Sequence, residues 1–183
     1  MIQQMISWLP QLLNGAKITI LLTLCAVSMG LLLSIFLALG KMSKNKILSG
    51  ICSVYIFFFR GTPLLMQLYF IYFGLPQINM ALTINSRFFA AFLAFSLNSA
   101  AYCSEFIRAA IQSIDRGQFE ASKALGLSKA QTMQLVIFPQ SIRRLVPSVA
   151  NEFIMVLKDA SLVSIIALAD LTKVTRAISS STG

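Results

Sequence analysis

Three stretches of the 183-residue chain, residues 18–40, 61–86 and 88–104, contain no Asp, Glu, Lys or Arg. A bilayer core of ~30 Å needs about 20 helical residues, so the first stretch is long enough alone and the others nearly so once their flanks are added. With 57% apolar and 11% charged residues, the chain is far too oily for an ordinary soluble domain of this length. The expected fold class is therefore all-α, a polytopic α-helical membrane protein forming one transmembrane domain over residues 1–183. A cleaved signal is disfavoured. The only cation before the first apolar run is Lys17, the run exceeds the roughly 7–15 residues of a signal core, and the rest of the chain is equally apolar.

The remaining composition narrows the chemistry. There is no histidine, which removes the commonest general base, metal ligand and proton relay. No catalytic residue and no metal site are expected. Cys25, Cys52 and Cys103 lie in apolar segments without paired spacing and read as packing residues. The net charge of +9 does not call for nucleic acid, because the positive residues gather in loops, as cytoplasmic retention of Lys and Arg produces.

That bias also orients the chain. Residues 1–15, with Trp8 and Pro10, read as a short interfacial lead-in, and a first span covers residues 17–40. Lys41, Lys44 and Lys46 then place the next loop in the cytoplasm and the N-terminus outside. Residues 47–75 are interrupted by Arg60-Gly61-Thr62-Pro63 and read as one broken or kinked helix. Residues 76–85 suit a weakly structured external loop, and a third span begins near Arg87. A fourth apolar stretch, residues 145–169, contains Glu152, Lys158 and Asp159, so it faces protein or a water-filled cavity on part of its surface. This makes four spans.

Between the third and fourth spans the character changes. Asp115, Arg116, Glu120, Lys123, Lys129, Arg143 and Arg144 make this the most charged part of the chain. Within it, residues 117–139 form an amphipathic insert. Gly117 supplies a turn, Glu120 is expected near a helix start where a carboxylate meets the positive end of the backbone dipole, and Phe119 and Leu125 offer apolar contacts. Gly126 is placed to end this helix in a left-handed conformation. Ser128 with Gln131 reads as a capping box opening a second helix, which Pro139 is expected to end. Physics alone leaves open a hairpin lying on the membrane surface or a knob docking a cytoplasmic partner.

Glu120-Ala121-Ser122, three residues, Gly126, nine residues, then Val136-Ile137-Phe138-Pro139 resembles the EAA signature of ABC importer permeases. Ser122, Val136 and Phe138 depart from the family pattern by tolerable substitutions. Arg60-Gly61-Thr62-Pro63-Leu64-Leu65 with Gln67, Ala101-Tyr102 with Glu105 and Arg108, and Leu157-Lys158-Asp159 with Ser161-Leu162 resemble the polar amino acid uptake branch. The resemblance implies a type I permease fold and docking to a cytoplasmic ATPase dimer through Glu120, Ala121, Ala124, Leu125, Gly126 and Leu127. It also implies pairing with an identical or homologous permease subunit, an extracytoplasmic amino acid binding protein, and residence in the bacterial inner membrane. No cofactor is implied for this chain; ATP and Mg²⁺ belong to the ATPase. The branch usually has five spans and the last is missing here, which leaves truncation and disorder open.

Within the spans, the candidate substrate path comprises Thr62, Gln67, Asn98, Tyr102, Glu105, Asp159 and Ser161. Thr62 and Gln67 flank the Pro63 break, where freed backbone donors meet a substrate carboxylate or where a plain proline kink has its polar groups satisfied. Asn98 lies eleven residues into the third span, ~16 Å deep at 1.5 Å per residue, and shares a face with Tyr102. Both either line the path or bond between helices. Glu105 and Arg108 are spaced for an intrahelical pair. Asp159 is the candidate partner for a cationic substrate group, with Lys158 beside it. The buried acids favour basic or neutral polar amino acids over acidic ones. The rival readings are an ATP-independent secondary transporter, for which no inverted repeat is visible, and a structural membrane subunit.

Overall fold

The computed structural model describes residues 2–182, so Met1 and Gly183, the ends of the lead-in and of the polar C-terminal stretch, lie outside it. Every regular element among the described residues is helical. The first, α1 (Ile2–Lys41), corrects the reading of a separate lead-in: it runs unbroken through Pro10. A proline there removes one backbone donor from the helix. Residues Ile6–Lys41 are long and apolar enough to cross a membrane alone.

Asn45 caps α2 (Lys46–Gly61), accepting from the amides of Ile47 and Leu48 at 3.0 and 3.4 Å. Thr62 and Pro63 are extended, as steric conflict with a proline ring imposes on the residue before it. The chain then resumes as α3 (Leu64–Tyr69), a π-helical turn (Phe70–Gly74) and α4 (Leu75–Ile78). Across the break the axis bends by 103°, and the two halves pass the length and hydropathy test for a span only together. The expected loop after residue 75 is partly ordered: α4 continues to Ile78 and a 3₁₀ turn occupies Met80–Leu82.

The central element is α5 (Arg87–Gln112), packed along α1 through small side chains. Ala26 and Ala38 on α1, and Ala91, Ala94, Ser99, Ala100 and Ala101 on α5, are buried. At Gly30 the backbones come so close that a Cβ would lie 2.9 Å from the Ser99 Cβ and 3.2 Å from the Ala100 amide nitrogen. Lipid tails are as apolar as leucine side chains, so association inside a bilayer depends on this sort of close packing. The outer face of α1, including Phe36, Leu32 and Leu39, is left exposed. Cys52 and Cys103 are buried and all three cysteines are free thiols.

Asp115 caps α6 (Arg116–Ala124), which is followed by α7 (Lys129–Gln131), a second π-helical turn (Thr132–Ile137) and α8 (Phe138–Asp159). Pro139 therefore does not end a helix, contrary to expectation. The amide before it, on Phe138, bonds five residues back to Met133, as Leu75, just before Pro76, bonds back to Phe70. The wider π turn lets the chain carry a ring that would clash with the carbonyl four residues earlier. The fourth apolar stretch is likewise displaced: α8 begins at Phe138 and ends at Asp159, residues Ala160–Ile166 are 3₁₀, and Ala167 turns left-handed at φ 60°. Buried Asp170 then caps α9 (Leu171–Thr182), and the Leu171 amide bonds to Thr19 Oγ1 at 3.2 Å, returning the chain to α1.

Candidate functional site

The break at Thr62-Pro63 leaves carbonyls at the end of α2 without helical partners. Gln67 supplies donors: its Nε2 lies 2.9 Å from the Phe59 oxygen, 3.1 Å from the Thr62 oxygen and 2.7 Å from Thr62 Oγ1. Asn98 reaches across from α5, donating to the Phe59 oxygen and to Gln67 Oε1, each at 3.0 Å. The side-chain amides of buried Gln67 and half-buried Asn98 thus hold the 103° bend against α5.

In front of this pair lies a cavity of about 430 Å³ bordered by Arg60, Thr62, Asn98, Tyr102, Glu152 and Asp159. Four of the residues expected along the path meet here: Thr62, Asn98, Tyr102 and Asp159. Gln67 stands behind the wall, 6% exposed, with its polar atoms engaged by the bend. Ser161 is half-buried past the end of α8, where its carbonyl accepts from the Ser164 hydroxyl. Lys158 is exposed and makes no ion pair with Asp159 among the described residues.

Glu105 lies outside the cavity. Its Oε1 accepts from Lys41 Nζ at 2.7 Å and its Oε2 from Arg108 Nη2 at 2.7 Å and Nε at 3.1 Å. The intrahelical pair with Arg108 is present, and Lys41 adds a tie from α5 to the end of α1. Arg60 is a third cation, 4.0 Å from Glu105 Oε2, with its guanidinium carbon 5.2 Å from the centre of the Tyr102 ring.

At the other end of the molecule, the insert forms two helical pieces around a corner. Asp115, not Glu120, occupies the helix-start role: its Oδ1 accepts from the Gly117 amide at 2.7 Å, while Glu120 sits beyond the first turn. Gly126 has φ +76°, with Leu127 N bonded to Ser122 O at 3.1 Å and Gly126 N to Lys123 O at 3.0 Å. That is a Schellman ending. Ser128 and Gln131 form the reciprocal capping box, with bonds of 2.9 and 3.3 Å. Glu120, Ala121, Ala124, Leu125 and Gly126 are exposed and Leu127 half-buried, with Leu125 80% exposed. Phe119 instead turns inward against Ile114 and Ile137. Arg144 on α8 donates to the Ser113 carbonyl at the end of α5, and Gln140 bonds Gln118, fastening the knob to α8.

Residues 30–181 match the family of binding-protein-dependent transport system inner membrane components. The chain belongs to that family. Within it, the chain is 41% identical over 177 residues to the putative glutamine transport system permease protein GlnP of Rickettsia bellii (strain RML369-C), covering 94% of this chain and 80% of that one. It is 41% identical over 165 residues to the arginine transport system permease protein ArtQ of Bacillus subtilis (strain 168), covering 90% and 74%. The fold is that of a crystallised amino acid ABC transporter with histidines, at a TM-score of 0.91 and 44% identity over 97% of this chain and 82% of that one. These are the features of an ABC importer permease of type I fold.

Two cavity residues of this permease, Glu152 and Arg60, are not among the path residues expected from sequence, although Glu152 is expected to face protein or a water-filled cavity. Glu152 is 4% exposed and lies seven residues, two helical turns, before Asp159, so both acids share one face of α8. That spacing was the available signal. Arg60 carried no such signal, because it meets Tyr102 only where α2 packs against α5, a contact between residues distant in sequence.

Proposed function

We propose that this chain is the membrane permease subunit of an ATP-driven importer for polar amino acids, with basic ones favoured. The observation that carries the reading is the continuity of the helix from the exposed knob to the cavity. From Lys129 through the π turn to Asp159 there is no break, roughly 45 Å at 1.5 Å per residue. A push on Glu120, Ala121, Ala124, Leu125, Gly126 and Leu127 by a closing ATPase dimer is delivered along α8 to Glu152 and Asp159. The π turn at Thr132–Ile137 is the compliant joint in that lever.

The cavity chemistry suits an amino acid. Two carboxylates on α8 attract a cationic group, and Leu64 and Leu65, at the start of α3, line the same space, where a helix start favours an anion. A second permease subunit completes the path, a binding protein delivers substrate from outside, and the ATPase binds ATP and Mg²⁺. In this arrangement the chain sits in the cytoplasmic membrane with its N-terminus outside and the knob, beside Arg116, Lys123 and Lys129, inside.

Reconstitution with the cognate ATPase and binding protein tests the reading through ATP-dependent uptake of labelled arginine, lysine and glutamine. Uptake that persists without the ATPase and follows an ion gradient would identify a secondary transporter instead.

A further inference from the structure

Glu105 has its two oxygens taken by Lys41 and Arg108, and Arg60, 4.0 Å away, is left as a cation with no hydrogen-bonded carboxylate among the described residues. Its side chain is 42% exposed. It borders the central cavity on one side and, on the other, a second cavity of about 390 Å³ that it shares with Tyr102 and Lys41. The central cavity is thus bipolar, with a guanidinium at the α2 end and the acids Glu152 and Asp159 on α8. Asn98 lines the same cavity; its Nδ2 is engaged by Phe59 and Gln67, which leaves Oδ1 as its side chain's remaining hydrogen-bonding group.

A zwitterion with a further cationic group matches this layout. We propose that Arg60 receives the α-carboxylate of the transported amino acid, held against Tyr102 at the partition between the two cavities, while the acids of α8 take the cationic end. The assignment rests on the amino acid import reading above. A guanidinium presents two parallel N–H donors to a carboxylate, a geometry that a carboxamide, with one oxygen and no charge, does not match. Arg60 therefore sets the preference for a free carboxylate, separately from side-chain selectivity.

The test uses the permease assembled with its ATPase in lipid nanodiscs and compares binding of L-arginine with L-argininamide and of L-glutamine with L-glutaminamide. Wild type is expected to prefer the free acid by about tenfold or more. Arg60→Gln is expected to abolish that preference by weakening the acid and leaving the amide nearly unchanged. Lys41→Gln, altering the same charge cluster from outside the central cavity, is expected to keep it. An acid-to-amide ratio that is flat in wild type, or unchanged in Arg60→Gln, overturns the proposal. Should that variant fail to assemble, Arg60→Lys gives the same ratio: a reduced preference supports the assignment and an undiminished one overturns it. ATP-driven uptake by the complete transporter is measured in parallel, so that loss of the import reading is seen separately from loss of the Arg60 assignment.

Discussion

Asn98 on α5 and Gln67 on α3 are joined at 3.0 Å, and both amides donate to the same carbonyl, that of Phe59. The three-way contact converts a proline break into a fixed corner. Without it the bend would have one extended dipeptide, Thr62-Pro63, to define its angle.

Gln67→Ala is expected to destabilise the protein by about 1–3 kcal/mol, because it removes the donor to the Thr62 carbonyl and the acceptor of one Asn98 hydrogen bond, leaving Phe59 held by Asn98 alone. Thermal unfolding in detergent measures this. A variant that melts like wild type but no longer binds substrate would move Gln67 from the corner into the path.

Gly126 has open space around it, so the cost of a side chain there comes from backbone conformation alone. Gly126→Val, β-branched at φ +76°, is expected to disrupt the Schellman turn and uncouple ATP hydrolysis from uptake, whereas Gly126→Asn should be mild. The number of ATP molecules hydrolysed per substrate imported is the readout. Full coupling in the valine variant would argue against the docking assignment.

Glu105→Gln leaves Lys41, Arg108 and Arg60 clustered without a negative charge. The side chain is 12% exposed, so screening is incomplete, and the expected loss is about 1–3 kcal/mol, largest at low salt. Melting temperature against ionic strength checks it; a loss independent of salt would point to shape and not charge.

Asp159→Asn should weaken arginine and lysine binding by about tenfold while changing glutamine little, since one charge-assisted contact is worth roughly 1.5–3 kcal/mol. Equal effects on all three would remove Asp159 from the cationic subsite. Glu152→Gln is expected to follow the same pattern.

Gly30→Val would force α1 away from Ser99 and Ala100. The expected cost is at least 1–3 kcal/mol, by overpacking. Unchanged stability would mean that α1 slides along α5 without loss.

Local signals were legible because they depend on few neighbours. Gly126 at a helix end, the Ser128–Gln131 capping box and the pair of Glu105 with Arg108 were all read from spacing, since each involves residues within four positions. The helix start belongs to Asp115 and not to Glu120, because the chain turns so that the Gly117 amide, two residues on, reaches the Asp115 carboxylate. A proline removes a donor, which points to a stop at Pro139, but the five-residue register ahead of it lets the helix continue.

By itself the sequence determined the helical membrane class, the break at Pro63, the position of the insert and the kinship of its motifs, all consequences of hydropathy, chain stereochemistry and residue order. Tertiary structure alone decided which polar residues face one another. Gln67 and Glu105, chemically as suitable for a path as Asn98 or Asp159, are taken up by a helix corner and a charge cluster, while Arg60 and Glu152 enter the cavity. The reason is that a buried polar group goes to whichever partner the folded backbone brings within about 3 Å, and across α2, α5 and α8 that depends on a 103° bend and on helix packing.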